Sequence, residues 1–390
     1  MQQTQPIWTI VESKEDSNIY TIATKSCVIC NSCRYCEGLC AVFPAMEKYR
    51  EFSDKEIDYL ANLCHQCSEC FYDCQYAPPH EFGVSIPTQF AQARKESYKK
   101  YVFPSFLGKA FDSNAWLTTI LLVVALFVGF FGASSGISSE VSNGIFGAFN
   151  AAFGNVESKG IESQGNFFAV IPYNYMVSVF SLVSIFVFIA LIAGVVRFAK
   201  AIELRGVNGK VFMQSLKDAL SLRYLGGHKS EGCTYPNEKR SNVRRIYHHF
   251  TAYGFLFCFI ATSLAAFYHH FLHLSAPYDI TQLPKLFGFI GGILLCIGTL
   301  GLFVLKLVAD KEIVDKESVS MDYVFLFMLF IVSFSGLFLM IVRESAMLSY
   351  ALWFHLSTIL VFFLMIPYSK FVHIFYRFIA LLKYNAEEGH

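Results

Sequence analysis

Charged residues are scarce in this chain. Asp, Glu, Lys and Arg make up 16% of its 390 residues, against about 25% in soluble domains. The deficit excludes a wholly water-soluble globule, and it is uneven. The first hundred residues are rich in cysteine and charge, while most of the rest is long apolar runs, so a small soluble domain and a membrane domain are implied. Net charge is only +1 and no basic patch carries interleaved aromatics, so nucleic acid is not an expected partner. No G-x-G-x-x-G lies between a strand and a helix, which argues against a bound flavin or nicotinamide and against an organic-substrate site. Covalently attached haem is excluded by the lack of C-x-x-C-H. The stretch 1–26 is polar and lacks an apolar core, so no cleavable signal peptide is expected.

Six segments have the roughly 20 apolar residues that a bilayer crossing needs. They are Trp116–Gly132, Ile171–Phe198, Tyr247–Phe271, Leu286–Val308, Tyr323–Val342 and Tyr350–Tyr368. The expected fold is therefore all-α: a polar, cysteine-rich head over 1–110 and a six-helix membrane bundle over 111–390. The stretch Arg197–Arg245 holds eleven Lys and Arg, whereas Ala133–Val170 holds only Lys159. By the positive-inside rule the basic loop (197–246) and both termini face the cytoplasm, and 133–170 is an external loop. Gly288–Gly301 lies within a membrane segment and is expected to allow close helix packing.

Nine of the twelve cysteines fall between Cys27 and Cys74. Cys30, Cys33, Cys36 and Cys40 are spaced C-x2-C-x2-C-x3-C, and Cys64, Cys67, Cys70 and Cys74 repeat that run at a constant offset. Pro44 and Pro78 keep the same offset. Three close thiolates and a distant fourth are the ligand set of a [4Fe–4S] cluster, and in two-run proteins the fourth Cys serves the other cluster. Cys30, Cys33, Cys36 and Cys74 are then one set, and Cys64, Cys67, Cys70 and Cys40 the other. Bacterial ferredoxins place Pro directly after the fourth Cys, whereas here it comes four positions later. Zinc is the competing reading, but its usual pattern is two separated C-x2-C pairs. Cys27 has no counterpart in the second run and reads as a free thiol. Helical character over Ala45–Asn62 points to an α-helical head.

Seven of eleven histidines lie in or at the ends of apolar segments: His248, His249, His269, His270, His273, His355 and His373. Ionisable groups in membranes are rare and functional, and imidazole is a standard axial ligand of haem iron. His248 or His249 should face His373 on the inner side, and His269 or His270 should face His355 on the outer side. At about 3.6 residues per turn the interval from His355 to His373 makes five helical turns, which would put both on one face of one helix. One or two b-type haems are expected. Arg343, Glu344, Lys370 and Tyr368 are candidates near a quinone.

The segments LCHQCSECFYDCQYAPPHEFGVSIP around Cys64–Cys74, RRIYHHFTAYGF, APYDITQLPKLFGFIGG and IPYSKFVHIFYRF together resemble tricarballylate utilisation protein B, a type also labelled CitB-like. The resemblance runs from about Cys30 to Tyr384, with Ala133–Gly165 unmatched. It implies a two-cluster head joined to a cytochrome b-like part in a bacterial inner membrane. It also implies a soluble FAD-dependent dehydrogenase as partner, one that oxidises tricarballylate to cis-aconitate. This chain would reoxidise the partner's flavin and pass electrons through clusters and haem b to membrane quinone. The same motifs could serve a different reductase of heterodisulfide or nitrate type.

Overall fold

The computed structural model describes residues 18–134, 167–171, 173–227, 232–274, 276 and 278–389. Most of the expected external loop and the stretch 1–17 lie outside that set. Among the described residues the chain is helical, with one isolated antiparallel bridge, Cys233 to Ser241, in place of any strand.

The head contains α1 (Ile19–Cys33), α2 (Val42–Glu47), α3 (Asp54–Leu63), α4 (Glu69–Tyr72) and α5 (Ile86–Tyr101). The helix expected over Ala45–Asn62 is two helices. Ser53 and Glu56 form a reciprocal capping box that starts α3 afresh, because such a cap satisfies end N–H groups that a continuous helix would not expose. Tyr59, Ile57, Leu60 and Phe90 form the head's dry centre. One buried carboxylate ties three of the helices together. Asp58 of α3 accepts from Tyr20 of α1 at 2.8 Å, and from Tyr101 and Lys100 of α5 at 2.6 and 3.1 Å.

The long helices are α6 (Asn114–Ser134), α7 (Tyr173–Ala201), α9 (Val243–Phe271), α10 (Leu283–Leu307), α11 (Val319–Val342) and α12 (Leu348–Met365); α8 (Gly209–Leu220) lies within the basic loop and α13 (His373–Glu387) closes the chain. Five spans are long and apolar enough to cross a membrane: 174–201, 243–271, 283–307, 319–342 and 348–368. Asn114–Val128 of α6 qualifies only jointly with the 3-10 turn Ser105–Phe111, from which it bends by 95°. The architecture is that of a multi-pass membrane protein. Between α9 and α10 the backbones touch: a Cβ on Gly298 would lie 2.5 Å from the Thr251 N, and one on Gly254 2.6 Å from the Leu295 N. Small residues permit that approach, which supplies the dispersion contacts that hold helices together in lipid.

One expectation is corrected. His355 and His373 do not share a helix. α12 stops at Met365, and two 3-10 turns follow, Ile366–Tyr368 and Lys370–Val372, before His373 opens α13. Pro367 removes a backbone donor. Ser369 then adopts extended backbone, and its hydroxyl accepts from the Phe371 N–H at 3.3 Å to start the next turn. The reset turns α13 back against the head, beside α3 and α8.

Candidate functional site

The two cysteine runs fold towards each other. Cys30, Cys33, Cys36 and Cys74 line one cavity of about 290 Å³, with Tyr35, Asp73, Gln75 and Tyr76 on its wall. Cys40, Cys64, Cys67 and Cys70 line a second, much tighter one of about 20 Å³, walled by Leu63, His65, Gln66, Ile86 and Tyr224. The fourth cysteine of each run thus stands with the first three of the other. Burial raises five of these thiols: Cys30 goes up to about 12, aided by the facing Cys36 and Cys74, and Cys36 and Cys67 also to about 12. Cys40 and Cys70 are held well above the ordinary thiol value by burial, with neighbouring cysteines adding to it. Uncompensated, such thiols stay protonated; bound iron is the kind of local charge that makes thiolates of them. Among the described residues no three His, Cys, Asp or Glu side chains converge as they would on a single metal ion. Cys27 is fully buried in α1 and lines neither cavity.

The cavities differ in surroundings. Tyr35, on the wall of the first, is 73% exposed. The second is roofed by the basic loop: Tyr224 lines it, and Thr234 donates to the Cys67 carbonyl at 3.3 Å. Arg240 pairs with Glu69, beside Cys70, at 3.1 Å. Part of the loop's positive charge is therefore neutralised by the head itself.

Below the second cavity stand two of the expected histidines. The His248 and His373 rings are 6.4 Å apart between centres and nearly perpendicular, at 84°. His373 Nδ1 donates to the Lys370 carbonyl at 2.5 Å, which leaves Nε2 with its lone pair free. Among the described residues the buried Nδ1 of His248 has no hydrogen-bond partner. His249 points elsewhere and stacks on Tyr253 at 5.7 Å. On the far side His355 is held in α12 by the Ser335 hydroxyl, 2.8 Å from its Nδ1, and packs against Gly336. His269 and His270 pack on each other at 5.5 Å. Among the described residues neither has a ring contact with His355.

Sequence reasoning missed the groups between the cysteines and the histidines. Arg94 donates to the carbonyls of Ala61 and Cys64 at 2.8 and 2.6 Å. Arg377 reaches the Cys64 carbonyl at 2.8 Å, and Arg244 donates to the carbonyls of Gln66 and His65. Burial, and Arg94 beside it, push Arg377 down to about 9. His65 is held well below the usual imidazole value by burial and by Arg377 and Arg94. A second buried cluster lies next to His373, where Asp322 pairs with both Lys306 and Lys370 at 2.5 Å. Of the residues considered near a quinone, Tyr368 donates to the Phe103 carbonyl and Arg343 lies over the Phe167 ring.

The family model for citrate utilization protein B matches residues 156–390, and the model for its Fer4-like domain matches 23–100. The chain belongs to the citrate utilization protein B family. Citrate utilization protein B of Escherichia coli is 36% identical over 360 residues, covering 92% of this chain and 90% of that protein. No solved structure matches. Membership identifies the cysteine-rich head as a Fer4-like domain, and so the chain, with its apolar helices, as an iron–sulfur subunit of electron-transfer type.

Proposed function

We propose that this chain is the membrane subunit that reoxidises a soluble FAD-dependent dehydrogenase and delivers the electrons to quinone. Two [4Fe–4S] clusters and one inner haem b would carry them. The observation behind this reading is the division of the eight cysteines into two sets of four around separate cavities, the second of them beside a facing pair of histidines. Sulfur-only donor sets suit iron–sulfur clusters. A single tetrahedral ion would draw its sulfurs to within about 4 Å of each other, and no such convergence exists among the described residues.

His248 and His373, with rings 6.4 Å apart between centres, would hold the haem, and the His373 Nδ1–H bond to a carbonyl orients its ring as ligating histidines require. When bound, these groups supply one-electron carriers between a two-electron flavin and quinone. The chain's own part is to hold them, to shield the second set from water and to keep the partner's flavin outside. Tricarballylate as the dehydrogenase's substrate rests on the family resemblance.

Low-temperature EPR on anaerobically purified protein, with iron, acid-labile sulfide and haem assays, tests the proposal. Expected are a low-spin ferric haem signal that dithionite removes and interacting reduced-cluster signals that it brings up. A haem content near one per chain agrees with the inner pair alone, and near two reinstates His269 and His355. A colourless preparation that holds zinc overturns the reading.

A further inference from the structure

Arg244 stands four positions before His248 on α9, and Arg377 stands four positions after His373 on α13. In each case the spacing is one helical turn, so histidine and arginine share a face. Both arginines point the same way, into the turn Cys64–Gln66. Arg377 donates to the carbonyls of Cys64 and Asn62, and Arg244 to those of Gln66 and His65. The two helices that present the facing imidazoles therefore also grip the turn that begins with the first cysteine of the second run. Arg94 grips the same turn from inside the head. Three guanidiniums converge there on neutral carbonyls. That positive charge suits a thiolate-ligated cluster, whose net charge is negative, and cations and hydrogen bonds nearby raise a cluster's potential.

We propose that Arg244 and Arg377 are positioning residues that clamp the second cysteine set to the inner histidine pair, making that set the exit of the head. The inference rests on the cofactor reading above. Electrons would enter at the first set, which opens to solvent beside Tyr35, and leave from the second, which the basic loop roofs. In the final transfer the reduced second cluster loses one electron and ferric haem gains it, with no bond made and no proton moved. The guanidiniums act twice: they hold the distance to the histidine pair, and they make the second cluster the better acceptor from the first.

Arg377→Gln tests the clamp in the full-length protein, with Arg377→Lys and Arg244→Gln beside it. Cofactor content is assayed first, then haem reduction after mixing with limiting dithionite, then an EPR-monitored redox titration. Loss of one charge-assisted hydrogen bond should slow haem reduction about tenfold. One cluster midpoint, the one missing in Cys67→Ser, should fall by about 60 mV, a decade for one electron. Arg377→Lys should be intermediate, because lysine keeps the charge and loses the fork. Should Arg377→Gln lose its cofactors, Arg244→Gln decides by the same two readouts. Full cofactor content with unchanged rate and unchanged midpoints in either variant overturns the clamp. Wild-type protein without iron and haem would instead sink the functional proposal beneath it.

Discussion

Truncating Asp58 should loosen the head more than any single apolar change on its surface. The carboxylate is fully buried and accepts from Tyr20, Tyr101 and Lys100, which lie on two different helices. Asp58→Ala leaves two phenolic hydroxyls and an ammonium without their acceptor, and breaking a buried charged network in this way costs about 3–5 kcal/mol. Asp58→Asn should behave differently. Burial raises the Asp58 carboxyl above its ordinary value despite the hydrogen bonds from Tyr101 and Tyr20 that favour its ionised form. Ionisation is thus harder in the folded than in the unfolded chain. The group's contribution to stability therefore falls as pH rises from the unfolded value of about 3.9 towards the folded one. Asn keeps one acceptor oxygen for the tyrosine hydroxyls, so its cost should be smaller than that of Ala. Hydrogen exchange on the detergent-solubilised protein reads this locally. Amides of α1 and α3 should lose about two to three and a half decades of protection in Asp58→Ala, at about 1.4 kcal/mol per decade, and less in Asp58→Asn. Equal losses in both variants would refute the reasoning, since the charge itself would then be what holds the helices.

Cys67→Ser should abolish flavin-to-haem electron transfer while the haem absorbance persists, and unchanged stopped-flow kinetics would exclude Cys67 from the relay. His373→Ala should lose the inner haem by the pyridine haemochrome assay, whereas His249→Ala should keep it; the reverse result would reassign the pair. Gly298→Ala should lower the thermal midpoint, because its Cβ would press on the Thr251 backbone. The expected overpacking cost is about 1–3 kcal/mol, and an unshifted midpoint would mean that α9 and α10 move apart freely.

The amino-acid sequence determined what depends on neighbours along the chain. The repeat of Cys30–Cys40 in Cys64–Cys74 and the long apolar runs are legible because ligand spacing and hydropathy are local properties. The crossing of Cys40 and Cys74 between sets was an expectation from the run itself; which cavity each of them lines is a property of the folded head. Local spacing misled where it assumed an unbroken helix: five turns from His355 to His373 count only without Pro367 and Ser369 between them. Tertiary structure alone decided that His248 rather than His249 faces His373, because ring direction depends on how α9 rolls against α13. It alone brought Arg94, Arg244 and Arg377 to one turn, from the head, the start of α9 and the last helix. In the sequence each arginine is an ordinary basic residue. Its meaning comes from a carbonyl of the Cys64–Gln66 turn that only the folded chain carries into reach.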